Sequence, residues 1–344
     1  MADAGSSAGD SSAGDSSADG GATATLGAFD RDTAVRRVPV EESSDGAFAA
    51  RAREGVREEG DSETARSRDG TDGGATLLAR TAPSTAIFAA EVSPDWRAGR
   101  GPHGGYLAAM LLRALSETVA DPARAPRSLT IHYARAPDPG PVSIRTVVER
   151  EGRSLSTLSA RMEGDDGSLV ALALSAFSVP WAAQEIAELP MPDVAPPNPV
   201  RESGALLNEH APPFVHHLVI QPRMGAIPFT DSDHPMEIGG WLGLAEPRAI
   251  DALSLAFFSD ALFSPPFIRL AQPAVTPTID LTVHFRTPMP RVPDPDPGEL
   301  CLARFHSGLV HEGFFEEDGT IWAADGTVLA QSRQLGIVLP IASR

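Results

Sequence analysis

The chain has 344 residues, enough for two domains of ordinary size, and its 42% hydrophobic residues can fill their cores. Its 28 basic residues, all of them Arg, face 46 acidic ones for a net charge of −18, which excludes nucleic acid as a partner because phosphate contact needs a basic face. The single cysteine, Cys301, excludes an intrachain disulfide and a Cys-based metal cluster, and the sequence has neither a basic-then-apolar leader nor a run of roughly 18 apolar residues. A cytoplasmic protein without a membrane span or a cofactor is expected. The all-Arg composition fits a GC-rich genome and also an acidic, salt-adapted proteome.

Taken in chain order, residues 1–85 form an acidic N-terminal region. The Ser/Gly/Ala/Asp repeats of 1–25 cannot bury enough surface to offset ordering entropy and are expected to be disordered. Residues 27–38 carry possible anchors in Phe29, Val35 and Val38 and are expected to pack on the body, whereas 40–84 reads as a loose, charged insertion. A first unit then spans 86–181. A strand at 86–92 leads to Gly104-Gly105 and a helix over 106–119 that is apolar on most sides, hence buried. Strands follow at 128–134, 141–150, 153–162 and 168–178, with turn signals between them. Residues 182–212 are rich in Pro and acids and read as a linker. A second unit, 213–344, repeats the order: strands at 214–221 and 239–244, a buried helix over 248–263, and strands at 277–286, 299–310, 311–316, 320–324 and 327–339.

The repeat is visible in the residues themselves. Leu129-Thr130-Ile131-His132-Tyr133 returns as Leu281-Thr282-Val283-His284-Phe285, and Asp166-Gly167-Ser168-Leu169-Val170 as Asp325-Gly326-Thr327-Val328-Leu329. One helix and a curved antiparallel sheet, used twice, predict an α+β double hot-dog. The runs 326–334 (GTVLAQSRQ), 257–263 (FFSDALF) with 277–286 (PTIDLTVHFR), and 101–114 (GPHGGYLAAMLLRA) together resemble acyl-CoA thioesterases of the type II, double hot-dog family. The resemblance covers roughly 86–340 and extends to 27–38. It implies hydrolysis of acyl-CoA, a role in fatty acid metabolism, no cofactor, and either a monomer or a homodimer.

Within a duplicated scaffold, a residue present in only one copy is a candidate for chemistry. Asp260 sits among Leu255, Phe257, Phe258 and Leu262, where lost solvation raises a carboxyl pKa and suits it to act as a base. The residues alone leave open that it ends the helix at the surface or pairs with an arginine. Counting from the repeated fragments sets Asp260, Thr278 and Gln334 against Ala108, Pro126 and Ser175. The family's hydrolytic site implies an Asp, a Thr and a Gln holding one water, and these map onto Asp260, Thr278 and Gln334. Thr278 is expected on the strand face opposite Ile279, Leu281, Val283 and Phe285, with Asp280, Thr282 and His284. Gln331, three residues from Gln334, faces the other way and is the lesser candidate.

Gly104, Gly105 and Tyr106 are expected to meet the substrate, with the glycine N–H groups aimed at a thioester oxygen or a phosphate. A tight helix entry accounts for the glycine pair equally well. His132 and His284 occur in both copies and read as structural. His216-His217 lacks a third metal ligand at useful spacing. Arg150, Arg153 and Arg223 could meet CoA phosphates. No G-x-S-x-G elbow supports a serine esterase. The competing readings are a non-catalytic acyl-CoA binder on the same scaffold and a dehydratase pairing Asp260 with His284.

Overall fold

Alternation of apolar and polar residues gives each long strand one face for a common core and one for the outside. In the computed structural model the described residues are 26–39, 84–203 and 211–341. The expected disorder of 1–25 and the loose insertion at 40–84 lie outside them, save for Ser84. In chain order the main elements are α1 (Ala28–Asp32), β1 (Arg36–Val38), β2 (Thr85–Val92), α2 (Gly104–Val119), β3 (Ala125–Tyr133), β4 (Gly140–Glu151), β5 (Leu155–Gly164), β6 (Leu169–Ser178), β7 (Leu218–Met224), β8 (Glu237–Leu244), α3 (Ala252–Phe258), β9 (Thr278–Phe285), β10 (Cys301–His306), β11 (Val310–His311), β12 (Phe314–Trp322) and β13 (Val328–Ile337).

These strands form one antiparallel sheet in the order β1-β2-β4-β5-β6-β3-β9-β13-β12-β10-β8-β7, with β11 on β12. The same path is taken twice, as β2-β4-β5-β6-β3 and as β8-β10-β12-β13-β9. Each copy even carries an extra strand, β1 or β7, on the outer edge of its first strand. The halves join where β3 pairs with β9: Leu129 faces Val283, Thr130 faces Thr282 and Ile131 faces Leu281. The repeated fragments thus pair with each other about a local two-fold at Thr130 and Thr282, whose hydroxyls bond at 3.1 Å. One main apolar core, running from Phe88 and Leu111 to Phe257 and Phe305, spans both halves. This is a double hot-dog.

Three sequence expectations are corrected. The second helix is half as long as 248–263. It starts where Asp251 and Ser254 form a reciprocal capping box, with bonds of 2.9 and 2.8 Å. It ends at Phe258, ahead of Pro265-Pro266, which cannot continue a helix. Asp260 therefore lies in the turn after α3, not inside it. The strand expected from 214 begins as a 3-10 turn, Pro213–His217, and extends only from Leu218. The separate strands at 311–316 and 320–324 are one, β12. Gly319 marks close packing rather than a turn, since a Cβ there would come within 2.6 Å of the Phe305 ring.

The segment from Ala28 to Val38 clamps both halves. Phe29 is buried against Trp96 and Phe257. The Asp30 carboxylate accepts bonds from Arg248 at 2.8 and 3.0 Å and from Arg113 at 2.9 Å, one arginine from each half. Residues 182–203 run without regular structure along the outer side of the second half. Arg223 donates to the carbonyls of Ala195 and Pro196, and Trp241 donates to Ala195. Met191 and Val194 cover Val219, Trp241 and Leu302 there. Arg223 is thus committed to the linker rather than presented to a phosphate.

Candidate active site

The first turn of α2 abuts the end of α3, because two glycines remove the atoms that would keep them apart. A Cβ on Gly105 would lie 2.5 Å from the Phe257 carbonyl oxygen, and one on Gly104 would lie 2.7 Å from Asp260 Oδ2. The Gly105 N–H donates to Asp260 Oδ2 at 2.9 Å, so the positive end of a 16-residue helix faces this carboxylate. The Gly105 N–H is therefore given to Asp260 and not held free for an oxyanion. Tyr106 turns away: its hydroxyl donates to the Asp32 carbonyl at 2.7 Å and its ring stacks on Trp96. It is a core residue and not a substrate contact.

Thr278 and Gln334 reach the same place from the sheet. A β-bulge between Thr278 and Asp280 changes the register of β9 against β13, so Thr278 pairs with Gly336 while Leu281 pairs with Gln334. The bulge carries Thr278 onto the inner face that Leu281 and Gln334 share, correcting the simple alternation, which set it beside Asp280 on the outer face. The Thr278 hydroxyl donates to Gln334 Oε1 at 2.8 Å, and Gln334 Nε2 donates to Glu317 Oε1 at 2.6 Å. The Gln334 amide also faces Asp260 and favours its charged form. Asp260, Thr278 and Gln334 therefore converge on one spot. Gln331 lies on the opposite face of β13, opposite Thr320 and His284. His132 and His284 are exposed on the outer face of the sheet, away from Asp260.

Burial pushes the Asp260 carboxyl above its ordinary value, against the opposing pull of His103, Gly105 and Gln334. Its side chain keeps 14% exposure, so it is desolvated yet still reachable. His103 precedes α2 and is buried. Burial lowers its pKa, so the neutral ring donates from Nε2 to the Asp260 carbonyl at 2.7 Å. The Tyr133 hydroxyl donates to the Gly104 carbonyl at 2.8 Å; burial first, and the nearby Asp260 second, raise its pKa. Cys301 is buried against the Leu242 carbonyl and burial pushes its thiol up, so it has no nucleophilic character. Among the described residues no group of three His, Cys, Asp or Glu side chains could hold a metal ion.

The sequence reading missed His103, Tyr133 and Glu317. A usable signal existed for Glu317. Gln334 pairs with Leu281 and Glu317 just as Ser175 pairs with Leu129 and Leu158. Glu317 is thus the second copy's counterpart of Leu158. The same bookkeeping holds for Thr278 and Pro126, which flank equivalent bulges. It fails for Asp260 and Ala108, because α2 and α3 differ in length.

Comparison with known proteins agrees with this architecture. Residues 92–178 match the acyl-CoA thioesterase N-terminal domain and residues 189–338 the acyl-CoA thioesterase C-terminal domain. An uncharacterized protein of Mycobacterium tuberculosis is 24% identical over 287 residues, covering 74% of this chain and 92% of its own. Among solved structures, a conserved protein with a hot dog fold from Alicyclobacillus acidocaldarius superimposes with a TM-score of 0.69 at 21% identity, covering 92% of this chain and all of its own. An acyl-CoA thioesterase II from Mycobacterium marinum gives 0.55 at 18% identity, covering 74% and 94%. With both of its domains matched in order over more than half of the sequence, the chain belongs to the acyl-CoA thioesterase family.

Proposed function

We propose that this protein hydrolyses acyl-CoA thioesters by direct attack of a water held by Asp260, Thr278 and Gln334. The observation that carries the reading is their convergence on one spot, at the junction where the start of α2 meets the end of α3. Asp260 takes a proton from the water as its oxygen attacks the thioester carbonyl carbon. Thr278, whose own proton is given to Gln334, accepts the water's second hydrogen and orients it. The C–O bond forms, the carbonyl carries the developing negative charge, and its collapse expels the CoA thiolate. The positive end of α2 is engaged by Asp260 and supports the ionised form of this base. Two competing readings lose ground: His284 is too far round the sheet to pair with Asp260 in a dehydratase, and a mere binder has no need of a desolvated carboxylate with a Thr–Gln pair.

Turnover requires ionised Asp260. Because its pKa is raised, kcat/KM should climb with pH through a value above the ordinary carboxylate range near 3.9. Asp260→Asn keeps an acceptor for the Gly105 N–H but loses the base, so kcat should fall by about 10²–10⁴-fold with the fold intact. Hydrolysis of a series of acyl-CoA chain lengths, with circular dichroism as a control, makes the test. Near-normal turnover of Asp260→Asn would overturn the assignment.

A further inference from the structure

Glu317 lies on the inner face of β12 with only 5% exposure, directly across from Gln334. The equivalent place in the first half holds Leu158, fully buried. The scaffold therefore accepts an apolar side chain here, and a buried carboxyl is a cost that packing does not require. Its one hydrogen bond among the described residues goes to the amide of a residue in the proposed site. A glutamine amide can sit either way round. Here the Thr278 hydroxyl donates to Gln334 Oε1 and a Glu317 oxygen accepts from Gln334 Nε2, so the amide is held by a partner at each end.

We propose that Glu317 is a positioning residue of the hydrolytic site: it holds the Gln334 amide from the side opposite Thr278. The inference rests on the hydrolase reading above. Three groups surround Glu317. Asp260 approaches from the turn after α3, and Gln334 from β13. From β10, the residue beyond the His306–Asp318 rung is Ser307, an uncharged and buried hydroxyl. Asp318, its neighbour on β12, lies on the outer face and is paired with Arg333 at 3.2 Å. No cation stands among them.

The two carboxyls differ in support. Asp260 has the Gly105 N–H, the positive end of α2 and Gln334 to stabilise its charge, whereas Glu317 has Gln334 alone. Burial first, and the Asp260 charge second, push Glu317 well above the ordinary range. Of the two carboxyls Asp260 is the better supported in its charged form, and Glu317 keeps its proton to higher pH. Ionisation of Glu317 as pH rises would set a second negative charge beside the reacting carbonyl and oppose the oxyanion.

The test uses the full chain with Glu317→Ala and Glu317→Gln. Glu317→Ala frees the amide, so kcat should fall about ten- to a hundredfold with KM little changed. Glu317→Gln keeps an acceptor without a titrating proton. It should restore kcat to within about threefold and remove the upper of the two ionisations from the kcat/KM profile. In the resting protein, infrared spectroscopy at neutral pH should show the carbonyl stretch of a protonated carboxyl, retained in Asp260→Asn and lost in Glu317→Gln. Full kcat in Glu317→Ala, equal impairment of both variants with an unchanged pH profile, or absence of the band overturns the proposal. A wild-type protein that hydrolyses nothing yet carries the band, lost in Glu317→Gln, supports the neutral carboxyl and overturns the hydrolase reading instead.

Discussion

Gly104 shows how little room the candidate site leaves. Its missing side chain is where Asp260 Oδ2 sits, and the Tyr133 ring lies behind it, 3.5 Å from where a Cβ would be. Gly104→Ala must push the carboxylate away from the Gly105 N–H and from Thr278 and Gln334. A displacement of this kind typically costs about 10²-fold in rate. Thermal unfolding should change far less than activity, because the collision is with a side chain rather than with the backbone. Gly105→Ala meets the Phe257 carbonyl instead and should lose stability as well as activity. Comparing kcat and melting temperature for the two alanine variants separates these cases. Equal activity loss without any difference in melting temperature would contradict the packing described.

At the scale of elements, the N-terminal clamp is the feature with the clearest pH signature. Partial burial works to raise the pKa of Asp30, but bonds from Arg248 and Arg113 outweigh it and hold it lowered. A carboxyl whose folded pKa lies below its unfolded value of about 3.9 adds stability that is present above that value. The contribution is lost as pH falls through the folded pKa. Asp30→Asn should therefore destabilise the protein at neutral pH, by about 1–3 kcal/mol, since two partly buried arginines lose a charged partner. The deficit should shrink as both proteins are acidified below about pH 4. Denaturant melts at pH 7 and pH 3 decide the matter, and a deficit that is constant with pH would contradict the clamp.

The elements also mark where sequence was a sufficient guide. Strand positions followed from alternation, and the duplication from LTIHY and LTVHF, because both depend on local spacing. The candidates Thr278 and Gln334 came from the family resemblance together with counting along the repeat. The inward turn of Thr278 was not legible, since the bulge that produces it is defined only against β13. The length of α3 was misread because the apolar run from Leu253 to Phe263 has helical spacing on both sides of the point where the helix stops. His103 and Tyr133 were missed because they come from the half without the carboxylate and meet Asp260 only through the contact of α2 with α3.

For the whole molecule, the proposed site is shared. Asp260, Thr278, Gln334 and Glu317 come from one half, and His103, Gly104, Gly105 and Tyr133 from the other. Neither half can hold the arrangement alone. The seam between β3 and β9 also imposes an order on synthesis. While the chain is being made, β3 emerges well before β9, and until then its outer edge has no strand beside it. That edge reads LTIHY and accepts a neighbour reading nearly the same, about a two-fold axis. A second nascent copy of β3 satisfies that description almost as well as the intended partner. A chain ending at residue 203 should accordingly associate into two-fold pairs through β3, visible as a doubled mass in light scattering and abolished by a proline at Thr130. Whatever brings β9 to its place promptly, the tethered linker included, protects the growing polypeptide from its own twin.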